Sequence, residues 1–122
     1  MNTPEAVATP TLAAGETYVG AIIKADGTGH HIILLPGDNN AASWQAQMEW
    51  AKSIGGNLPS RIEQAMLFAY HHDAFKPTWY WSNEQPAANS VYAWYQYFDG
   101  GSQVYSTTSS KLRARAVRRV PI

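Results

Sequence analysis

The sequence predicts one α+β domain, and three observations lead to that class. Residues 17–35 have the pattern of a β-hairpin, residues 43–73 contain two amphipathic segments with helix-start signals, and residues 77–120 are rich in strand-forming aromatic residues. A chain of 122 residues is long enough for one domain with a core and too short for two of ordinary size. We therefore expect an N-terminal β-hairpin, two helices and a C-terminal antiparallel sheet in a single domain over residues 17–122.

The composition narrows the classes of function. Hydrophobic residues make up 45% of the chain, charged residues 15%, and the formal net charge is zero. These values disfavour disorder and a nucleic-acid partner bound through bulk charge. The chain has no cysteine, which excludes disulfides, thiolate zinc sites and cysteine nucleophiles. The apolar runs are far shorter than the roughly 20 residues of a membrane span, so no membrane insertion is expected.

The N-terminal part is expected to contain an arm followed by a hairpin. Residues 1–16 are rich in Ala, Thr and Pro without a periodic pattern, which predicts an arm that is either flexible or docked on the domain. Residues 18–23 and 30–35 have strand patterns on either side of a turn at residues 26–29. A loop at residues 36–40 leads on to the helices.

Two helices are predicted next. The first follows Ser43 and ends at Gly55 and Gly56, because glycine adopts the left-handed conformation without steric cost. Its apolar positions are Trp44, Met48, Ala51 and Ile54. The second begins after Ser60, with Glu63 placed to complete a capping box. Its apolar face is expected to carry Ile62, Ala65, Met66, Ala69 and Tyr70.

The C-terminal half is predicted to be strands with an aromatic concentration. Three of the five tryptophans and four of the seven tyrosines lie in residues 77–101. The expected strands are residues 79–81, 91–98, 103–106 and 112–120. We expect a core role for Trp79, Trp81, Trp94 and Phe98. Exposure is expected for Tyr95, Tyr97, Tyr105 and the polar loop of residues 83–90.

Several motifs resemble, in order, those of one bacterial and phage family. They are Ser43-Trp44, the run Gly-Gly-Asn-Leu-Pro-Ser-Arg-Ile-Glu of residues 55–63, Tyr-Trp-Ser-Asn of residues 80–83, the aromatic strand that ends in Asp99-Gly100, and the terminal Arg-Ala-Val-Arg-Arg-Val of residues 115–120. Together they are similar to the DUF1566 or Lcl C-terminal domain family. The resemblance implies a C-type lectin-like fold, of the kind found on phage tail structures and bacterial surface proteins. Formylglycine-generating enzymes have a related fold but depend on cysteine, which excludes that activity here.

The expected function is binding without catalysis, by a protein of phage or prophage origin. The partner would be a host surface protein or glycan, as for a tail fibre or adhesin, and the location the virion or an extracellular surface after a cytoplasmic stage. The expected ligand-binding residues are Asn83, Glu84, Gln85, Asn89, Tyr92, Tyr95, Tyr97 and Tyr105. A homo-oligomer through the N-terminal arm and the hairpin is a further expectation.

Two other functions remain open. One is an intracellular phage accessory protein that binds and inhibits a host protein. The other is a small carbohydrate-active enzyme that uses Glu84 and Asp99, which flank the aromatic region.

No cofactor or metal is expected. The pairs His30-His31 and His71-His72 cannot chelate as units, because neighbouring side chains diverge on a strand and on a helix. A metal site would need one histidine of each pair and a carboxylate such as Asp73.

A calcium site is also disfavoured, because too few oxygen ligands are available near the polar loop. The candidate ligands Asn83, Glu84, Asn89 and Asp99 supply only part of the six to eight oxygens that calcium takes.

The arginines of the last strand have a structural interpretation. Arg113, Arg115 and Arg118 lie in a segment that the resemblance places in the central sheet. We expect their aliphatic stems to pack and their guanidinium groups to pair with acids, rather than to bind phosphate.

Overall fold

The computed structural model describes residues 8–122, in which eight strands and two α-helices follow one another along the chain. In order they are β1 (Thr17–Ile23), β2 (Gly29–Leu34), β3 (Asn39–Ala42), α1 (Trp44–Ser53), α2 (Arg61–His71), β4 (Trp79–Trp81), β5 (Tyr92–Tyr97), β6 (Gln103–Thr107), β7 (Leu112–Ala114) and β8 (Val117–Pro121). A short 3-10 turn, His72–Ala74, follows α2. The predicted α+β class, the hairpin and both helices are confirmed.

The hairpin is part of a three-stranded antiparallel sheet of order β1-β2-β8. β1 pairs with β2 across the predicted turn, with a register shift between Tyr18 and Gly20. β2 is the central strand, and its side chains Ile32, Ile33 and Leu34 are buried. The last strand of the chain thus completes the sheet that the first two strands begin.

The second sheet has the order β3-β7-β4-β5-β6 and is mixed, which corrects the expectation of a purely antiparallel C-terminal sheet. β4 runs parallel to β7, with Tyr80 opposite Arg113. β3, within a segment expected to be loop, pairs antiparallel with β7. Because β7 lies between β3 and β4, the sheet combines segments from both halves of the chain.

The predicted single strand of residues 112–120 is wrong, because the segment divides into β7 and β8 in different sheets. Arg115 lies between the two strands and donates to the carbonyl oxygens of Leu35 at 2.8 Å and Ala74 at 2.7 Å. These bonds hold the chain where it passes from one sheet to the other.

The predicted helix boundaries are confirmed by their caps. Ser60 accepts a hydrogen bond from the Glu63 amide at 3.2 Å, and the Glu63 carboxylate accepts one from the Ser60 amide at 2.8 Å. Gly55 ends α1 with φ of 85°, and a Cβ on Gly56 would lie 2.6 Å from the carbonyl oxygen of Val117. Neither helix of the described range is long and apolar enough to cross a membrane.

The apolar face expected for the second helix is wrong. Ile62 is 64% exposed and Tyr70 is 74% exposed, whereas Glu63, Gln64 and Leu67 are buried. Ala65 and Ala69 are exposed as well, and of the predicted face only Met66 packs against the core. The helix buries polar side chains because they are hydrogen-bonded, which an apolar periodicity does not detect.

The core consists of two clusters on opposite faces of the five-stranded sheet. Tyr80 and Trp81 are neighbours on β4 and therefore point to opposite faces. The cluster on the α2 side contains Val19, Ile32, Leu34, Leu67, Phe75, Tyr80, Phe98 and Val117. The cluster on the α1 side contains Leu35, Ala51, Leu58, Trp81, Ala93, Ala114 and Ala116. The predicted core positions of Trp81 and Phe98 are confirmed.

The segment before β1 is bonded to β8 through Arg118. The guanidinium group of Arg118 makes two bonds of 2.8 Å to the Glu16 carboxylate and one of 3.1 Å to the Thr11 carbonyl oxygen. Of the arm expected over residues 1–16, residues 1–7 lie outside the described residues.

Candidate functional site

The predicted binding tyrosines lie on both faces of the five-stranded sheet. Tyr95 is opposite Trp81, and Tyr97 is opposite Trp79, so these four side chains share the α1 side. Tyr92 and Tyr105 lie on the α2 side, where Tyr105 is opposite Trp94. The four tyrosines expected to bind a ligand therefore lie on two surfaces.

The larger group, which we call the aromatic surface, consists of Arg61, Tyr92, Trp94 and Tyr105. The rings of Tyr92 and Tyr105 are 5.3 Å apart, and Trp94 meets Tyr105 edge to face at 5.1 Å. The guanidinium carbon of Arg61 lies 3.6 Å from the centre of the Trp94 ring. Tyr105 is 47% exposed, and the other three are half-buried. The expected core position of Trp94 is wrong, since its ring lies between Arg61 and Tyr105.

Arg61 is held in place by its position at the start of α2. Its amide donates to the Glu84 carboxylate at 2.6 Å, and its Nε donates to the side-chain oxygen of Gln103 at 3.0 Å. Gln103 in turn donates to the Arg61 carbonyl oxygen at 2.7 Å and to the side-chain oxygen of the buried Gln96 at 3.0 Å. These bonds fix the guanidinium group against Trp94.

A groove borders the aromatic surface at the first turn of α2. It has a volume of about 330 Å³ and is lined by Arg61, Ile62, Ala65, Glu84 and Gln103. An exposed aliphatic side chain, a carboxylate and an amide therefore lie beside the rings, which gives the region both apolar and polar contacts.

The predicted binding loop of residues 83–90 forms a second, shallow pocket of about 310 Å³, lined by Gln85, Pro86, Ala88, Asn89 and Ser90. Gln85 donates to the carbonyl oxygens of Ser90 at 2.9 Å and Tyr92 at 3.1 Å. Asn89 accepts from the Val91 amide at 3.1 Å. The polar groups expected to contact a ligand thus also hold the loop in its shape.

Asn83 differs from its neighbours in this loop. Its side-chain oxygen is buried and has no hydrogen-bond partner among the residues that the structure describes. The backbone N–H of Asn83 donates to the Pro59 carbonyl oxygen at 2.9 Å, and this bond connects the loop to the segment before α2.

The α1 side carries a smaller stacked pair, in which Trp79 is exposed and Tyr97 is half-buried, so the exposure expected for Tyr97 is wrong. Trp79 and Tyr97 stack at 5.4 Å with an interplanar angle of 22°, and the Tyr97 hydroxyl donates to Asp99 at 3.2 Å. Trp79 is 45% exposed, so its expected core position is wrong. Tyr95 is half-buried and packs against the cluster around Trp81, so the open exposure expected for it is also wrong.

Glu84 and Asp99 lie near opposite ends of β5. The Glu84 carbonyl oxygen accepts from the Trp94 amide at 2.8 Å, whereas Asp99 lies in the turn after the strand. The Glu84 carboxylate accepts from the Arg61 amide at the start of α2, whereas the Asp99 carboxylate accepts from the Tyr97 hydroxyl on the α1 side. The two carboxylates therefore do not face each other across one site.

The histidines of the hairpin take part in structural hydrogen bonds. His30 bonds to Glu63 at 2.8 Å, and His31 bonds to the Tyr18 hydroxyl at 2.8 Å. Within residues 8–122, no group of three or more histidine, aspartate or glutamate side chains could hold a metal ion.

Two of the three arginines expected to pair with acids do so, Arg113 with Asp38 and Arg118 with Glu16. The acid pairing expected for Arg115 is wrong, because Arg115 donates to two carbonyl oxygens instead.

Arg113 lies 2.8 Å from Asp38, and Arg119 lies 2.6 Å from Glu63. Burial acts to raise the pKa of Glu63, but the bonds from Arg119 and Ser60 outweigh it, and the pKa lies below its ordinary value. Glu63 is therefore a buried carboxylate that stays charged and joins α2 to β8.

Sequence reasoning missed Arg61, Trp94 and Gln103 as parts of the site. Trp94 shares the two-residue period of Tyr92, which could have placed both on one face. Arg61 directly follows the capping Ser60, which placed it on the first turn of the helix but not against the sheet. Its contact with Trp94 depends on how α2 lies on the sheet, and no local signal specifies that.

No protein-family model matches this chain, and no curated protein was found to be similar to it.

Proposed function

We propose that the protein is a non-enzymatic binding domain of phage or prophage origin that recognises a protein or glycan on a host surface through the aromatic surface. The observation that carries the proposal is the packing of three rings and a guanidinium group side by side, with Tyr105 47% exposed. Tyr, Trp and Arg are the side chains that contribute most binding energy at protein interfaces. Aromatic faces also stack on sugar rings, so a glycan fits the same surface.

The fold proposed with this function is C-type lectin-like. Its support is the order of elements, in which a hairpin, two helices and further strands follow one another, together with the motifs that resemble the DUF1566 family. The location proposed is the virion or an extracellular surface.

Binding fits the surface better than glycoside hydrolysis does. Glycosidases place two carboxyl groups about 5 to 10 Å apart, across the bond that they cleave. Glu84 and Asp99 instead lie near opposite ends of β5, and the Glu84 carboxylate already accepts a hydrogen bond from the Arg61 amide. The rigid aromatic rings and the anchored Arg61 are instead typical of a preformed recognition surface.

The test compares capture by the wild type and by a Tyr92→Ala/Tyr105→Ala variant. Each protein is immobilised and exposed to a bacterial surface-protein extract and to an array of bacterial surface glycans. We expect a bound component whose affinity falls at least about tenfold in the double variant, since each lost aromatic contact contributes roughly 1 kcal/mol or more.

The control is Tyr70→Ala, which removes a tyrosine that is 74% exposed on α2 and outside the aromatic surface. It should bind like the wild type, and all three proteins should melt at similar temperatures. Undiminished capture by the double variant would exclude this surface. The same capture is repeated with a bacterial cytosolic extract, and binding from that extract alone would favour the intracellular inhibitor.

A further inference from the structure

β6 is an edge strand of the five-stranded sheet, and half of its backbone groups point away from β5. The Tyr97 amide donates to the Ser102 carbonyl oxygen, and the Thr108 amide donates to the Val91 carbonyl oxygen. In an antiparallel pair, every second residue bonds to the partner strand. Counting inward from these two bonds, Val104 and Ser106 are the residues of β6 whose backbone groups bond to β5. The backbone N–H and C=O groups of Gln103 and Tyr105 and the N–H of Thr107 accordingly face outward from the sheet, whereas the Thr107 C=O accepts a hydrogen bond from the Ser110 amide at 2.9 Å.

The other three edge strands carry features that oppose pairing with another chain. β1 has the register shift between Tyr18 and Gly20, and β3 has only four residues and a shift of its own. β8 carries Arg118, Arg119 and Pro121. Bulges, short length, charge and proline are the usual protections of an edge.

β6 has none of these protections. Its sequence is Gln-Val-Tyr-Ser-Thr, without charge or proline, and its register with β5 is regular. Val104 is 43% exposed and Tyr105 is 47% exposed, on opposite faces of the strand. A strand of this kind is a template for β-pairing.

We propose that β6 pairs with β6 of a second copy of this chain, antiparallel and about a two-fold axis at Tyr105. In this register the N–H of Tyr105 in each copy donates to the C=O of Tyr105 in the other copy. Gln103 of each copy lies opposite Thr107 of the other, and Val104 lies opposite Ser106.

A second copy fits this edge because the strand is complementary to itself. Two-fold pairing brings each residue of β6 opposite a residue of the same strand in the other copy. A charged residue in β6 would therefore lie close to the identical charge of the second copy and be repelled by it. The five residues are uncharged, so no repulsion arises. The pairing is also closed, because it uses both edges and leaves neither β6 open for a third chain.

The dimer would form a continuous sheet of ten strands, since each copy contributes its five-stranded sheet. The two Tyr105 side chains would be neighbours on the same face, so the two aromatic surfaces would join into one. The proposed dimer depends only on the β6 edge. It can therefore be tested independently of the proposed binding function.

The test is a charge exchange at Tyr105, followed by sedimentation velocity across a concentration series without any ligand. We expect wild type and a Tyr70→Lys control to dimerise, and Tyr105→Lys and Tyr105→Glu to be monomeric when each is alone. An equimolar mixture of the two variants should dimerise again, because residue 105 faces its own copy at the axis.

A second variant tests the backbone without adding charge. Thr107→Pro removes an outward N–H and leaves the bonds of Val104 and Ser106 to β5 intact. It should weaken the dimer several-fold while the protein melts as a folded domain.

Three results would overturn the proposal. They are a wild type that is monomeric at every concentration, a Tyr105→Lys variant as dimeric as the wild type, and a lysine and glutamate mixture that remains monomeric. A monomeric wild type would leave the edge to an extended peptide of another protein.

Discussion

At the residue scale, Tyr80 is the side chain of the five-stranded sheet whose pKa is shifted most. It is 1% exposed, and its hydroxyl donates to Asp38, which also receives the guanidinium group of Arg113. Burial and the bond to Asp38 raise the pKa of Tyr80 to about 12. The phenol therefore remains neutral in the folded state at a pH where an unfolded tyrosine ionises.

This shift predicts a loss of stability in alkali. A tyrosine in the unfolded chain titrates near pH 10, so the contribution of Tyr80 is fully present below that pH and is lost as the pH rises to about 12. The loss should be on the order of 2 kcal/mol in the free energy of unfolding. Tyr80→Phe should show a shallower decline over this range, measured by urea unfolding at a series of pH values. Tyr70→Phe, at an exposed site, should decline like the wild type, and equal slopes for both variants would contradict the prediction.

Single residues were predictable from the sequence where their partners are local. Ser60 and Glu63 are three residues apart, and their capping box follows from that spacing. The same carboxylate also binds His30 and Arg119, which are 33 and 56 residues away. No pattern in one sequence specifies such distant partners, so the burial of Glu63 could not be predicted.

At the element scale, α2 is oriented by polar anchors as much as by apolar ones. Gln64 donates to the carbonyl oxygens of Tyr80 at 3.0 Å and Trp81 at 3.1 Å, beside the buried Leu67. This arrangement turns Ile62 toward solvent. An apolar residue at helical spacing is therefore a poor guide to the buried face when hydrogen-bonded amides share that face.

The orientation of α2 predicts unequal effects of two similar truncations. Leu67→Ala should lower the free energy of unfolding by about 2 to 5 kcal/mol, because it leaves a cavity in the core. Ile62→Ala should change it by no more than about 0.5 kcal/mol, because Ile62 is exposed. Chemical denaturation of both variants measures the difference. A larger loss for Ile62→Ala would mean that α2 is rotated from its observed position.

The strands show the same division between local and distant causes. The two-residue period of a strand is enough to place Tyr92 with Trp94 on one face and Tyr95 with Tyr97 on the other, as observed. It could not show which group is covered, because helices lie on both sides of the sheet and leave its β6 end partly open. The break between β7 and β8 could not be predicted either. It is stabilised by hydrogen bonds from Arg115 to carbonyl oxygens of residues that are distant in sequence.

At the scale of the whole molecule, the N-terminal segment and the aromatic surface belong to different sheets. The segment before β1 is bonded to β8 in the three-stranded sheet, whereas the aromatic surface lies at the β5 and β6 end of the other sheet. A tether through the N-terminal segment would therefore leave the aromatic surface accessible. Oligomerisation through the arm and hairpin stays a prediction.

The pairing of β2 with β8 has a consequence for the timing of folding during synthesis. β2 is made early and remains without one of its two neighbours until residues 117–121 have left the ribosome. Val117 also completes the α2-side core, and Arg119 neutralises the buried Glu63. Pairing between distant parts of a chain is slow, and an unpaired strand exposes surface that aggregates.

Ribosome-bound nascent chains can test this order of events. Chains that expose only residues 1–116 should be cleaved rapidly by protease, whereas chains that expose residue 122 through a C-terminal linker should be protected. Leu67→Ala in the longer chain should reduce the protection, which would show that it comes from the folded core. Equal protection of the shorter chain would mean that the domain folds before its last strand arrives.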